Sequence, residues 1–212
     1  MGHEITFGEL IVEINDRLSD HLISHGFGGA LALAFYTLNP RATRNIDLNV
    51  ALPTDRAREI FSVLPESISW NQSDVSTCLR DGQVRLWSNL KGIGIPSDLF
   101  FPQHGFHEAV INGIVHKPFG EPGYFLPIIS ATHLVVFKAL YNRLKDWVDI
   151  GSMLEADVVD LAEAIFWLKT LVGMNHPSCQ RMLETIAAIG NPASKQIKSG
   201  KGDIAIDWKS FN

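Results

Sequence analysis

GGALALAFYTLNPRATRNIDLNV, Gly28 to Val50, is the stretch on which the fold turns. Two adjacent glycines open it. A diglycine lets backbone come close to a phosphate, and the N–H groups that start a following helix can meet an anion. The small apolar run from Ala30 to Leu38 predicts a buried helix, which Asn39-Pro40 ends. A basic turn, Arg41 to Arg44, then leads into strict alternation of polar and apolar residues. Asn45, Asp47 and Asn49 share one face, and Ile46, Leu48 and Val50 the other, so a strand is predicted over 45–52. Asn45 and Asp47 thus stand side by side. Two carboxylates in those places could hold a metal ion; here one of the pair is an amide. The residues alone leave two readings open: a metal site short of one acid, or the polar side of an ordinary strand.

Outward from this stretch, helical and extended patterns alternate. Leu10, Ile11, Ile14, Leu18 and Leu22 recur at helical spacing, with Gly26 as a stop. Thr54 is placed to cap a helix over 55–64, with Ala57, Ile60, Phe61 and Leu64 inward. VRLWS (84–88) and GIPSDLFF (94–101) read as strands, and EAVINGIVHKPFG (108–120) as a short helix or turn followed by an extended piece. From Ser130 the texture becomes helical, through ATHLVVFKALYNRLKDWVDIGSML, EADVVDLAEAIFWLKTLVG ending at Gly173, and SCQRMLETIAAIG. The predicted class is α+β: a mixed α/β core over 1–126, then a helical region over 127–212 with a short tail.

Composition narrows the partners. The chain has 212 residues, 46% apolar and 19% charged, as expected of a soluble globular protein. Its net charge of −5 excludes bulk attraction to nucleic acid, so any RNA contact needs a local basic patch. The candidates are Lys195, Lys198 and Lys201 in the tail and the set Arg41, Arg44, Lys138, Arg143 and Lys145. Cys78 and Cys179, far apart and without CxxC spacing, fit neither a disulfide framework nor a zinc site, and suit a reducing cytoplasm. No secretory pattern and no run long enough for a membrane span is present in the sequence.

If the segment carrying Asp98 lies beside 45–52, Asp47 and Asp98 converge. A divalent ion held by carboxylates and bridged to a triphosphate is a standard device for moving phosphoryl or nucleotidyl groups. Lys138, Asn142, Lys145 and Asp149 fall at helical spacing and share a face if their helix is continuous. His21 and His25 read as surface or capping histidines, and His104 and His107 lie in or near the loop after Asp98. No Walker A, GxGxxG or Gly-x-Ser-x-Gly motif occurs, which removes P-loop, dinucleotide-binding and serine-hydrolase readings.

The ordered set comprises Gly28-Gly29, Arg41-x-Thr43 ahead of Ile46-Asp47-Leu48, DGQVRLW (81–87) with DLFF (98–101), and HLVVFKALYNRLKDWVDI (133–150). Over roughly residues 20–155 this order resembles the nucleotidyltransferase superfamily, and within it the AbiEii/AbiGii-type toxin branch. The resemblance implies transfer of a nucleoside monophosphate from an NTP to RNA, the 3′ end of tRNA included, with Mg²⁺ and a cognate antitoxin protein as partner. It places Gly28 and Gly29 on the triphosphate, Asp47 and Asp98 as metal ligands and catalytic acids, and Asn45 where the family has its first metal-binding Asp. It gives Lys138 to the nucleotide phosphates, Asp146 and Asp149 to orienting that lysine or the nucleotide, and Arg41 and Thr43 to the turn. Asn45 implies weakened metal binding and impaired chemistry. The rival readings are nucleotidyl transfer to a small, antibiotic-type acceptor, which the acidic balance favours, and a catalytically silent nucleotide- or partner-binding module.

Overall fold

The structure, a computed structural model, describes residues 5–37, 43–90 and 92–190. These fall into two compact units. One holds the described residues up to Leu31 and those from Thr43 to Ile129; the other holds Ala32 to Thr37 and those from Ser130 to Gly190. Arg41 and the lysines at 195, 198 and 201 lie outside the described residues.

The first unit is built on one mixed sheet. Its strands are β1 (His25–Phe27), β2 (Ile46–Val50), β3 (Ile68–Ser69), β4 (Gln83–Leu90), β5 (Ile93–Phe100), β6 (Val115–Pro118) and β7 (Phe125–Ile128). Their order across the sheet is β3-β4-β5-β2-β1-β7-β6. The β2–β5 and β1–β7 pairs are parallel and the others antiparallel. The predicted strands at 45–52, 84–88 and 94–101 therefore exist as β2, β4 and β5, and β2 lies beside β5.

Helices α1 (Phe7–Asp20), α3 (Ala57–Val63), α4 (Gln72–Asp81) and α5 (Gly105–Asn112) belong to the same unit, and α2 (Gly29–Ala34) starts in it. A reciprocal cap fixes the start of α1: Thr6 Oγ1 accepts from the Glu9 N–H at 3.2 Å, and the Glu9 carboxylate accepts from the Thr6 N–H at 2.7 Å. Leu10, Ile11, Ile14 and Leu18 then point into the core, each 1% exposed or less. The helix stops earlier than the periodicity suggests. Leu22 occupies a left-handed turn at φ 56 and is 91% exposed, and Gly26 lies inside β1. His25 is likewise in a strand rather than on α1. It is buried, with Nδ1 2.8 Å from the Ile23 carbonyl and Nε2 3.1 Å from Asn15 Oδ1. Burial lowers its pKa.

Ala57, Ile60, Phe61 and Leu64 are buried as predicted, but Thr54 is no cap. It sits inside a 3-10 turn, Thr54–Arg56, and the helix that follows has no side-chain cap at Arg56. Helix α4 is absent from the sequence reading. Asn71 caps it, its side chain accepting from the Ser73 N–H at 2.7 Å while Asp74 accepts from the Asn71 N–H at 2.7 Å.

The second unit is helical: α6 (Ala131–Tyr141), α7 (Leu144–Glu155), α8 (Leu161–Val172) and α9 (Pro177–Gly190). Ser130 Oγ caps α6 and Asp160 caps α8, through the N–H groups of His133 and Glu163 at 3.2 and 3.0 Å. The segment 131–154 is not one helix. Asn142, at φ 54, breaks it, and its side-chain oxygen accepts from Trp147 Nε1 at 2.7 Å on the next helix. Among the described residues no helix is long and apolar enough to cross a membrane.

Candidate functional site

Strand register brings the sequence-predicted acids of the first unit together. Asp47 on β2 is the direct partner of Asp98 on β5, in a parallel pairing that runs from Ile46↔Ser97 to Asn49↔Phe100. Ile46, Leu48 and Val50 are anchored in the core at 1–2% exposure. That fixes Asn45, Asp47 and Asn49 on the opposite face, because a one-residue slip would expose all three apolar side chains.

The glycine pair closes over this face. Gly28 donates its N–H to the Asp47 carbonyl at 2.8 Å. That donor is therefore committed to the turn and is not available to a phosphate. Gly29 has φ +56, and a Cβ there would overlap the Asp47 carboxylate, reaching 2.5 Å from its Cγ. At Gly28 a Cβ would come within 3.3 Å of the Asn49 amide nitrogen. So the second glycine is required twice, by its left-handed backbone and by the close approach of an acid. Thr43 shapes the entry to β2: its hydroxyl lies 3.2 Å from the Asn45 N–H and 3.2 Å from the Asn45 carbonyl.

Around Asp98 the structure supplies a residue that the sequence reading did not single out. Arg85 Nε donates to Asp98 Oδ1 at 2.6 Å and Arg85 Nη2 to Oδ2 at 2.7 Å, a two-pronged pair. Asn45 Nδ2 also donates to Asp98 Oδ2, at 3.2 Å. The hydrogen bonds to Asp98 hold the Arg85 guanidinium more firmly protonated; burial opposes this, and the Asp98 and Asp47 charges add to it. The signal was there to be counted. β4 alternates exposed and buried along its length, with Arg85 on the exposed face, and Leu90 pairs with Ile93 across the hairpin. Stepping back evenly from that hairpin pairs Arg85 with Asp98.

The amide at 45 is oriented by this contact. Its nitrogen serves Asp98, and its oxygen, like that of Asn49, is buried without a hydrogen-bond partner. An unsatisfied buried acceptor costs about 1–3 kcal/mol. Two such oxygens on the strand face that carries Asp47 call for donors.

A divalent cation shared by Asp47 and Asp98 does not fit these contacts. It would have to displace Arg85, and Asn45 presents a donor to Asp98 where a second acid would present an oxygen. Among the described residues no group of three or more His, Cys, Asp or Glu side chains is arranged to hold a metal ion. Magnitudes show which effect dominates. Arg85 is 55% exposed, so opening its ion pair costs only about 0.2–1 kcal/mol. The larger obstacle is charge: with an amide at 45 and Arg85 beside Asp98, the site offers a dication less net negative charge than a full set of acids would.

The second unit gathers the other predicted residues. Lys138 on α6 donates to Asp149 Oδ2 on α7 at 2.7 Å and lies 3.9 Å from Asp146 Oδ1. Asp146 in turn accepts from Arg143 Nε at 2.6 Å, Nη2 at 3.1 Å and the Arg143 backbone N–H at 3.2 Å. Burial works to raise the Asp146 pKa, but the Arg143 hydrogen bonds and charge, with Lys138, outweigh it and hold the carboxyl below its ordinary value. Lys138, Asp146 and Asp149 are all buried, so Lys138 is no part of an exposed basic patch; Arg44, Arg143 and Lys145 are exposed. The three meet across a helix break, not along one helical face. His104 and His107 pack ring against ring at 4.6 Å at the start of α5, where burial and the neighbouring His104 push His107 down to about 4.

Comparison with protein-family models finds no match, and comparison with curated proteins finds none. Solved structures do match. An antigenic nucleotidyltransferase-like protein from Paracoccidioides brasiliensis superposes with a TM-score of 0.52 at 13% identity, covering 88% of this chain and 90% of that one. JHP933 from Helicobacter pylori matches at 0.45 and 13% identity, over 84% of this chain and 87% of that one. The antibiotic-resistance factor ANT(2'')-Ia matches at 0.41 and 14%, over 85% and 89%. The fold assignment rests on the first of these: the chain has a mixed α/β, nucleotidyltransferase-like fold.

Proposed function

We propose that this chain binds a nucleoside triphosphate at the Gly28–Gly29 turn and the polar face of β2. From there it transfers the nucleoside monophosphate to RNA, the 3′ end of tRNA included, at a rate impaired by Asn45. The observation that carries the reading is the register pairing of Asp47 with Asp98 beneath a glycine pressed onto the Asp47 carboxylate. That close approach brings the glycine backbone onto the strand face that carries the acids, the face on which a ligand's phosphates would be received. The orphaned oxygens of Asn45 and Asn49 would accept from ribose hydroxyls or base N–H groups. Mg²⁺ enters as the counter-ion that the triphosphate carries, with Asp47 the acid that would meet it. In the second unit Asp146 and Asp149 hold Lys138 and Arg143 in fixed positions; Lys138, the residue proposed for the nucleotide phosphates, is buried against these acids and would have to part from Asp149 to meet them. A toxin role with a cognate antitoxin protein follows from the sequence resemblance.

Incubating the protein and its Asn45→Asp variant with labelled NTPs, Mg²⁺, total tRNA and an aminoglycoside mixture tests this. The expected result is slow labelling of RNA by the wild type and a modest gain in the variant, whose Asp98 stays paired with Arg85. Label on the small acceptor alone would replace RNA with the antibiotic-type reading. No label and no NTP binding in either protein would leave a silent partner-binding module.

A further inference from the structure

We infer that Arg85, with Asn45, takes the place of a divalent cation at Asp98, so that this acid is neutralised from within the chain and takes up no metal. The inference deepens the proposed reading of the same site, and it rests on contacts that involve neither nucleotide nor acceptor.

Three observations converge on it. Both oxygens of Asp98 accept from one guanidinium, at 2.6 and 2.7 Å, in the fork geometry that matches a carboxylate. Register dictates that contact, because Arg85 and Asp98 are cross-strand partners in the β4–β5 hairpin and the long hairpin leaves no slack to separate them. The neighbour on the other side, Asn45, completes the set with an N–H at 3.2 Å. An aspartate at position 45 would place a second negative charge beside Asp98 and turn that contact into repulsion, which a cation would then relieve. The amide removes the repulsion and the need for the cation together. Arg85 and Asn45 thus act as one device: a fixed positive charge and a neutral donor around an acid that elsewhere would bind a metal.

The consequence is specific. Asp98 is preset as a neutralised group, its affinity for divalent ions is low without nucleotide, and restoring that affinity requires both substitutions. The experiment is a Mn²⁺ titration of the full chain without nucleotide. Free Mn²⁺ is followed by its paramagnetic resonance signal for the wild type, Asp98→Asn, Arg85→Gln, and the double variant Asn45→Asp/Arg85→Gln. The expected result is indistinguishable titrations for the wild type and Asp98→Asn, and at least about tenfold tighter binding in the double variant. Arg85 is 55% exposed, so Arg85→Gln alone is expected to keep the fold, checked by circular dichroism, and to raise affinity less than the double variant does. Mn²⁺ bound by the wild type and lost in Asp98→Asn overturns the inference, as does a folded double variant that binds no more tightly than the wild type. Nucleotide binding and transfer can fail or succeed independently of either outcome.

Discussion

Gly29 is the residue whose chemistry is most constrained. Its left-handed φ of +56 and the Asp47 carboxylate in the space of a Cβ act together. Gly29→Ala is expected to destabilise by about 1–3 kcal/mol, read as a lower urea midpoint with an unchanged slope. Asp149 offers a second test. Replacing it with Ala leaves the buried Lys138 ammonium without its 2.7 Å partner, a change expected to cost about 3–5 kcal/mol. Asp146 sets a pH dependence whose sign is fixed. Its folded pKa lies below the unfolded value of about 3.9. The stability it contributes is therefore present above that unfolded value and disappears as pH falls through the lower, folded one. Unfolding free energies measured from pH 6 downward should show an acid loss that is smaller in Asp146→Asn; equal losses would remove this role. At this scale the sequence displayed Asp47, Asn45 and the glycines, because a period-two pattern shows which residues share a strand face. It did not display that Gly28 spends its N–H on Asp47, a contact between segments that only the folded sheet brings together, whereas the Arg85–Asp98 pair was countable from the β4–β5 hairpin and was passed over.

Elements were legible where one periodicity ran uninterrupted. β4 and β5 carry alternation strong enough to predict. α3 appeared through Ala57, Ile60, Phe61 and Leu64, though its start was misplaced because Thr54 has a capping residue's chemistry but lies in a 3-10 turn. α4 was missed because only Val75 and Cys78 of its ten residues are buried, leaving almost no apolar stripe to detect. Its capping box was the usable signal. Asn71→Ala should cost about 1 kcal/mol in chemical denaturation; no change would mean that this cap is not holding the helix. The break at Asn142 was hidden by helical spacing that continues across it. Lys138 and Asp149 were placed on one face for that reason, and they meet because α7 returns to pack on α6, not because the helix persists.

Across the whole chain, the change of texture near Ser130 announced a mixed sheet unit followed by helices, and order of motifs announced the fold. The sheet order was not legible, since β1, β3 and β7 are only two to four residues long and carry too few positions for a period to show. The assignment of Ala32 to Thr37 to the helical unit also had no local signal. What joins fold to function is the claim that the glycine turn over β2 receives a nucleotide. Amide chemical shifts of the 23.5 kDa chain, followed while each of the four NTPs is titrated in turn, test it most directly. Saturable shifts at Gly29, Asn45, Asp47 and Asn49 are expected with at least one NTP. Saturable binding that leaves those four resonances unmoved, or no saturation with any NTP, would contradict it.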